Sequence, residues 1–327
     1  MDISVIMPVY NGADYMKKAI ESVRSQEKAE WELWLVDDGS KDESPEICDA
    51  YAAMDERIHV IHKENEGPGI ARNAAIDQAT GEYVFFLDCD DWLVEGALWY
   101  LYAMAKERNA DVICYGVHKT SDRNAVIHRT ENPQILTFDG EDVLRRYFTK
   151  MSASICKLFR RTLFSEHHFE KVELCEDAWS MHLFLSKAKR LLVCQSVCYV
   201  QYFGEKSRSR SDFSEKNFIS ETCGMRMVEF AKEKRPDVYG EALYNLIKRQ
   251  LRLMYEVVAY HSYRKFQEQY QQIHTRLAAE YEDAKQYTKI NEKLYRNMSL
   301  AISHPVLYRY RDRLKAFYYK WIKYGKK

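Results

Sequence analysis

The sequence predicts an α/β fold in which a mostly parallel, Rossmann-like sheet is followed by a helical C-terminal region. Three short apolar runs carry this prediction, at residues 3–9, 33–36 and 83–87. Each run ends at chain-breaking or acidic residues and precedes a helical pattern, which is typical of βαβ units in a sheet buried on both faces. Open parallel sheets bind ligands beyond the carboxyl ends of their strands, so the polar residues after these runs should share one crevice.

The elements that connect the runs can be read in order. Apolar residues spaced three and four apart predict a helix over 13–26, and a second helix begins at Ser44 with proline in its first turn. Residues 59–62 predict a short edge strand whose two histidines face solvent, because no ligand partner lies at metal spacing. A third helix is predicted from about 70 to 81.

The pattern after the third run predicts two more strands and a long helix. In order, these elements are helix 93–108, strand 111–116, a polar loop or hairpin over 119–133 and strand 199–203. From about Phe213 onward nearly all of the chain has a helical pattern. We therefore predict an α/β domain over 1–212 and a helical region over 213–327.

Composition narrows the class of protein. The 327 residues are 46% hydrophobic, enough for a large core, and Lys+Arg equals Asp+Glu at 49 each, so no global charge favours nucleic acid. The eight cysteines show no CxxC pair or zinc spacing and are interpreted as reduced, mostly buried residues. The first strand starts at the N-terminus and no apolar run approaches the roughly twenty residues of a membrane span, which favours a cytoplasmic location.

Acidic groups follow two of the apolar runs. Asp37-Asp38-Gly39-Ser40 ends the second, and Asp88-Cys89-Asp90-Asp91 ends the third. A buried strand that delivers carboxylates to its carboxyl end is well suited to hold a divalent cation against a phosphorylated ligand. The alternative is that these acids only terminate strands in solvated turns.

Five motifs in one order and spacing extend this pattern, and together they resemble the family 2 glycosyltransferases of the GT-A fold. The resemblance covers roughly the first two hundred residues, and five motifs in register are far more specific than one. The motifs are Pro8-Val9-Tyr10-Asn11, Asp37-Asp38-Gly39-Ser40, Asn65 and Gly67 with Ala71-Arg72-Asn73, Leu87-Asp88-Cys89-Asp90-Asp91-Trp92, and Glu176-Asp177.

The resemblance implies a nucleotide-sugar donor, usually linked to uridine diphosphate. Pro8, Tyr10 and Asn11 would border the nucleoside. Asp38 would accept a hydrogen bond from the uracil N–H, with a turn or N-cap role as the alternative, a role that Asp37 can fill. Asn65 and Arg72 would reach the ribose, the phosphates or the acids after the third run.

The resemblance also implies a Mn²⁺ or Mg²⁺ cofactor. Asp90 would be its direct ligand, with Asp88 binding the metal through water or contacting the ribose. Cys89, between them, belongs to the donor-site positions by sequence, but its thiol should face the sheet and not the metal.

The resemblance places the acceptor chemistry at Glu176 and Asp177. Asp177 would act as general base on the acceptor hydroxyl, with Glu176 in support; the alternative is that both acids only cap a helix. Ser207 and Arg208 would close over the donor diphosphate, although a plain basic loop is an equal interpretation.

These implications define an inverting, metal-dependent hexosyl- or N-acetylhexosaminyltransferase that acts on a bacterial cell-surface glycan, such as a capsule or cell-wall polysaccharide, or on a lipid-linked acceptor. Two alternatives stay open. One is a non-catalytic scaffold that binds nucleotide-sugar in a glycan-assembly complex. The other is a nucleotidyltransferase, although that class usually carries a Gly-rich basic loop after the first strand, which 9–12 lacks.

The end of the chain has a pattern of its own. Residues 301–327 hold eight Lys or Arg and one acid, a net charge of +7. An apolar stripe recurs every three or four residues, with basic residues on the opposite side: the stripe is Leu307, Tyr310, Leu314, Phe317 and Trp321, and the basic residues are Arg309, Arg313, Lys320 and Lys323. This pattern predicts peripheral contact of 306–327 with an anionic membrane, at the inner face of the plasma membrane; packing on the protein or on a second subunit is the alternative.

Overall fold

The computed structural model describes residues 1–130, 132–150, 156–172, 176–203, 213–260, 262–286 and 292–324. The chain divides into two compact units. The first comprises Met1–Tyr147 and Met151–Ser207, and the second comprises Phe148–Lys150 and Arg208–Lys327.

The first unit is built from nine strands and six helices, counted over the described residues. In chain order they are β1 Ile3–Val9, α1 Met16–Arg24, β2 Trp31–Asp37, α2 Ser44–Met54, β3 Ile58–His62, α3 Pro68–Ile76, β4 Tyr83–Phe86, β5 Trp92–Leu93, α4 Ala97–Arg108, β6 Val112–Thr120, β7 Ile135–Asp139, α5 Glu141–Lys150, β8 Lys157–Arg160, α6 Glu176–Ser186 and β9 Arg190–Tyr202. The last turn of α5 belongs to the second unit.

The strands form one sheet in the order β3-β2-β1-β4-β8-β6-β9-β5, with β7 paired to β9. The four strands β3, β2, β1 and β4 run parallel, and β8 is antiparallel to both of its neighbours. β1, β2 and β4 are buried along nearly their whole length, as expected of parallel strands covered on both faces. The predicted α/β class is confirmed, with β3, β2, β1 and β4 forming a parallel part of the sheet.

Two predicted helices have different limits. Helix α4 begins at Ala97 and not at 93, because Trp92 and Leu93 pair with β9 and Gly96 adopts a left-handed conformation, φ +67°, before the helix. Helix α3 ends at Ile76 and not near 81. The buried carboxylate of Glu32 there accepts the N–H of Thr80 at 2.7 Å, which draws the chain away from the helix and into β4.

The second unit is helical throughout its described residues. Its elements are α7 Ile219–Lys234, α8 Tyr239–Ala259, α9 Gln267–Ala279, α10 Tyr281–Gln286, α11 Glu292–Ser303 and α12 Pro305–Tyr324, with short 3₁₀ turns at Glu215–Phe218 and Pro236–Val238. The predicted helical C-terminal region is confirmed, while the boundary at residue 212 stays a prediction. Over the described part of the chain, no helix combines the length and apolar character that a membrane crossing requires.

Candidate active site

The turns after β1 and β2 are tied together by side chains. Asn11 has a left-handed backbone, φ +50°, and its N–H donates to the Ser40 hydroxyl at 3.0 Å. The Asn11 side-chain oxygen accepts the N–H of Lys41 at 2.8 Å. Asparagine tolerates this conformation better than most residues. Asn11 therefore fixes one loop against the other, while Pro8 is half-buried and Tyr10 is exposed beside it.

Asp37 shapes the turn that follows β2. Its carboxylate accepts the N–H of Ser40 at 2.9 Å and contacts Nδ1 of His62 at 3.0 Å. Burial opposes its ionisation, but the bonds from Ser40 and His62 hold the pKa of Asp37 below its usual value. Gly39 completes the turn with φ +73°, and a Cβ there would lie 2.9 Å from the backbone nitrogen of Asn65.

Asp38, the predicted acceptor for uracil, is buried and organises the next loop. It accepts the N–H groups of Glu66 at 3.0 Å and Gly67 at 2.8 Å, and it pairs with Lys63 at 3.0 Å. A carboxylate has about four acceptor positions, so these three contacts leave capacity for a ligand. Its contact with uracil stays a prediction, as does the role of exposed Asn65.

The three acids after β4 have different environments. Asp91 is buried, accepts the Tyr199 hydroxyl at 2.6 Å and accepts the Tyr202 N–H at 2.8 Å. Burial, with Asp88 and Asp90 nearby, raises the pKa of Asp91 to about 8. Asp88 and Asp90 are only half-buried. The structure thus assigns Asp91 to the protein interior and leaves the other two accessible.

Arg72 brings a buried positive charge to these acids. Its Nη2 lies 3.3 Å from Oδ1 of Asp88, and its guanidinium carbon lies 5.6 Å from the centre of the Phe86 ring and 5.7 Å from that of Phe169. The aromatic rings hold the guanidinium in a fixed orientation. Arg72 therefore reaches one of the acids after β4, one of the partners proposed for it.

Cys89 faces the turn after β1. A Cβ on Gly12 would lie 2.9 Å from its sulfur, and burial raises the pKa of the Cys89 thiol to about 12. A protonated thiol is a poor ligand for a hard cation. Cys89 fills space between the loops.

Asp177 lies in the first turn of α6. Its Oδ1 accepts the N–H of Ala178 at 2.6 Å, and its side chain is partly exposed. An acid at this place in a helix is favoured by the helix dipole, so the geometry accommodates capping as well as catalysis. Three predicted positions fall outside the description: the side chain of Glu176, and the whole of Ser207 and Arg208.

Comparison with known proteins identifies the class of this site. Residues 4–167 match the sequence profile described as Glycosyl transferase family 2. The chain belongs to glycosyl transferase family 2. This confirms the family resemblance and the enzyme class, a glycosyltransferase, and the matched range includes all the predicted donor-site positions up to Asp90 but ends before Asp177.

Two curated relatives are similar over different lengths. The glycosyltransferase GlyG of Streptococcus pneumoniae serotype 4 is 32% identical over 222 residues, which cover 64% of this chain and 74% of GlyG. The putative teichuronic acid biosynthesis glycosyltransferase TuaG of Bacillus subtilis is 47% identical over 90 residues, 27% of this chain. The chain thus spans only 36% of the length of TuaG.

A solved structure shares the fold. The crystal structure of S. aureus TarS residues 1–349 in complex with UDP-GlcNAc superposes with a TM-score of 0.59 at 20% identity, covering 92% of this chain and 91% of that one. The fold of this family 2 member is therefore GT-A, followed by helices.

A divalent cation fits the donor set of this family 2 site. Within the described ranges, no group of three or more His, Cys, Asp or Glu residues is arranged to hold a metal. Mg²⁺ and Mn²⁺ in nucleotide enzymes commonly take one or two carboxylates and complete their shell with phosphate and water. Asp88 and Asp90 match that pattern, since Asp91 is already engaged by Tyr199 and Tyr202.

Sequence reasoning missed the residues that brace the family 2 site. The Tyr199 oxygen accepts the Asp88 N–H at 3.2 Å and donates to Asp91, which holds the acidic turn on β9. Asn73 bonds the backbone of Phe169 twice, donating to its carbonyl at 2.7 Å and accepting its N–H at 2.9 Å. Asn73 stood in the Ala71-Arg72-Asn73 motif, but nothing local indicated its partner.

An aromatic cluster places α6 next to the acidic strand. The Phe169 ring lies 5.6 Å from Phe86, at the end of β4, and 5.0 Å from Phe184, on α6. Phe164 contacts all three rings. Edge-to-face pairs of this kind favour a defined relative orientation. Phe164 and Phe169 thus connect the helix that carries Asp177 to the strand that delivers Asp88 and Asp90.

Proposed function

We infer that the chain transfers a hexosyl or N-acetylhexosaminyl group, with inversion, from a UDP-linked donor to a hydroxyl of a cell-surface glycan or a lipid-linked acceptor. One observation carries this proposal: the half-buried Asp88 and Asp90 follow a central parallel strand, with the buried Arg72 on Asp88. Such a combination of anionic and cationic groups suits a metal-bound diphosphate.

The comparisons support the donor and acceptor classes. TarS was crystallised with UDP-GlcNAc and, separately, with UDP, which supports a uridine nucleotide in the crevice formed after β1 and β2. The name of TuaG refers to teichuronic acid biosynthesis, which supports a surface glycan as acceptor. Pro8, Tyr10 and Asn11 would then border the nucleoside.

In this proposal Asp90 would be the direct ligand of Mn²⁺ or Mg²⁺, and Asp88 would contribute through water or bind the ribose. The metal, when bound, supplies positive charge that offsets the departing diphosphate. Arg72 neutralises part of the negative charge of the acids, which lowers their repulsion for the phosphates. Ser207 and Arg208 would close over the diphosphate of the donor.

Asp177 would complete the reaction as general base. It takes the proton of the acceptor hydroxyl as that oxygen attacks the anomeric carbon, while the bond from this carbon to the diphosphate oxygen breaks. A single displacement inverts the configuration and needs no enzyme nucleophile. Glu176 would support the orientation or charge of this base.

The test of the proposal is Asp90→Asn. The variant should fold as the wild type does, lose Mn²⁺-dependent UDP binding in calorimetry and lose sugar transfer, because an amide is a much weaker ligand for a hard cation. Asp77→Asn, which removes an exposed carboxylate beside His168, is the matched control and should keep both.

Two results would contradict the mechanism. One is full activity of Asp90→Asn, and the other is full activity of the wild type in excess EDTA. Tight UDP-sugar binding with no transfer to any acceptor would instead favour the binding-scaffold alternative.

A further inference from the structure

Helix α12 packs on α8 and α11 through one face and leaves the opposite face uncovered by the described residues. Tyr308 and Asp312 point inward and are 3% and 1% exposed. Leu307, Tyr310 and Leu314 are 55%, 62% and 52% exposed. The first three residues of the apolar stripe predicted from the sequence therefore face outward.

Large exposed apolar side chains are concentrated on this helix. Val306, Leu307, Tyr310 and Leu314 make up four of the eleven exposed large hydrophobic residues in the described structure. The sequence repeats the same spacing at Phe317 and Trp321. We name the exposed residues Leu307, Tyr310 and Leu314 the α12 stripe. The helix has twenty residues and is about 30 Å long, which is long enough to lie along a flat surface.

The charge around the α12 stripe is positive. Residues 301–327 carry eight Lys or Arg and one acid. That acid, Asp312, is buried and bonded to Arg311 at 3.0 Å, so it contributes little negative charge to the surface. Arg309 also packs inward, with its guanidinium 4.4 Å from the centre of the Tyr263 ring, whereas Lys315 is nearly half exposed. Among the side chains that the structure describes on α12, Lys315 therefore adds an exposed cation to the helix that carries the exposed apolar residues.

We propose that the α12 stripe binds an anionic lipid surface, with Leu307, Tyr310 and Leu314 entering the interface and the net positive charge of 301–327, Lys315 included, attracting the helix to lipid head groups. An interfacial helix combines an exposed apolar face, a positive charge and a length that fits the membrane plane, and α12 has the exposed residues, the net charge of its segment and the length. The proposal is independent of the sugar transferred and of the catalytic mechanism.

A second copy of the chain fits this surface less well. A two-fold interface places the same patch against itself, so two segments of net charge +7 would meet. Like charges in contact oppose association, whereas an anionic lipid surface attracts each of them. Charge complementarity therefore favours lipid over self-association.

The full chain can be tested by co-sedimentation with vesicles of phosphatidylcholine containing 30% phosphatidylglycerol, at low salt. The wild type should bind these vesicles, release in about 0.5 M NaCl and bind pure phosphatidylcholine poorly, because screening removes the electrostatic part. The triple variant Leu307→Ser, Tyr310→Ser, Leu314→Ser should lower the partition coefficient roughly tenfold or more. Lys315→Gln should lower it roughly fivefold, because one exposed positive charge is lost.

The matched control is Met54→Ser, Val126→Ser, Tyr260→Ser, which removes three comparably exposed apolar side chains elsewhere and should bind vesicles as the wild type does. Equal thermal stability of the two triple variants keeps the comparison valid, since both change exposed side chains. The proposal is wrong if the wild type ignores anionic vesicles at low salt. It is also wrong if the α12 triple variant changes the molar mass in light scattering without changing vesicle binding, which would assign the stripe to a protein partner.

Discussion

Buried carboxylates in the two units have different partners. In the α/β unit, Asp38 and Asp91 follow strands and accept backbone N–H groups, as well as a lysine and a tyrosine. In the helical unit, buried Glu221 on α7 bonds to Arg276 on α9, and buried Asp312 bonds to Arg311 on its own helix. Backbone donors at strand ends are placed by the sheet itself, so these acids shape loops around a crevice. The Glu221–Arg276 pair joins two helices and so favours one packing of α7 on α9.

The comparison predicts that acids near the crevice affect chemistry more than stability, and the largest effect is expected at Asp177. Asp177→Asn should lower sugar transfer by roughly 10²–10⁴-fold, the usual range for loss of a general base, with donor affinity near that of the wild type. Steady-state kinetics and UDP calorimetry measure the two quantities.

A matched control exists because two helices begin with the same dipeptide. Glu141-Asp142 begins α5 and Glu176-Asp177 begins α6. If Asp177 only caps its helix, Asp142→Asn and Asp177→Asn should lower the free energy of unfolding by similar amounts, and neither should change turnover. A parallel loss of donor binding and turnover in Asp177→Asn would place this residue in the donor site instead.

The next largest effect concerns the helical unit. Arg276 bonds both carboxylate oxygens of buried Glu221, at 2.9 and 2.6 Å. Arg276→Met should lower the free energy of unfolding by about 3 kcal/mol, because it leaves a buried charge without its main partner. Denaturant titration measures this, and UDP affinity of the folded variant should be unchanged.

Arg252→Met provides the control for this prediction. Arg252 pairs with Glu256 on the helix surface and is 77% exposed, so its loss should cost only about 0.3–0.5 kcal/mol. Equal losses in the two variants would show that the buried pair contributes no more than a surface pair.

The sequence predicted the features that depend on neighbouring residues. The end of β2 at Asp37, the end of β4 just before the acids and the start of α2 at Ser44 follow from short local patterns, and the structure has them there. The residues that hold the site together were not predictable in this way. Tyr199 and Asp91 are 108 residues apart, and Asn73 and Phe169 are 96 apart, so their pairing depends on the topology of the sheet.

The spacing of apolar residues also left one feature of α12 unpredicted. It predicted the helix and its apolar stripe, but a stripe of period 3.6 does not state which side packs inward. The inward side instead includes the buried residues Tyr308 and Asp312. Arg311 contacts both, with its guanidinium carbon 4.2 Å from the centre of the Tyr308 ring and a hydrogen bond to Asp312.

A smaller effect is expected at Asn73, where it should distinguish a residue that positions the site from one that binds the donor. Asn73→Ala removes two hydrogen bonds to Phe169, each contributing about 1 kcal/mol, and should loosen the segment that leads to α6. We expect kcat to fall roughly tenfold while the UDP dissociation constant stays constant, because Arg72 and Asp88 are untouched. Gln78→Ala, which truncates an exposed amide just after α3, should change neither. A loss of UDP affinity equal to the loss of kcat would assign Asn73 to the donor site.

The smallest effect concerns how stability depends on pH, which should have opposite signs for one carboxyl group in each unit. Asp37 in the α/β unit has a pKa below its usual value, so its stabilising contribution is lost only as the pH falls into the acid range. Glu280 in the helical unit is the opposite case, because burial raises its pKa to about 7.

The contacts of Glu280 explain this shift and set the test. Its Oε1 accepts an N–H of Gln250 at 3.2 Å, while its Oε2 has no hydrogen-bond partner among the described residues, an arrangement that suits a protonated acid. Between the usual carboxyl pKa, near 4.5, and about 7, the folded state binds more protons than the unfolded state, so stability falls as the pH rises.

Glu280→Gln should remove this fall and be more stable than the wild type by about 1 kcal/mol at pH 8, with nearly equal stability at pH 4.5. Chemical denaturation at the two pH values measures it, and Glu282→Gln, at a 73% exposed neighbour, should leave the wild-type slope unchanged. A constant difference between Glu280→Gln and the wild type at both pH values would mean that Glu280 does not titrate in this range.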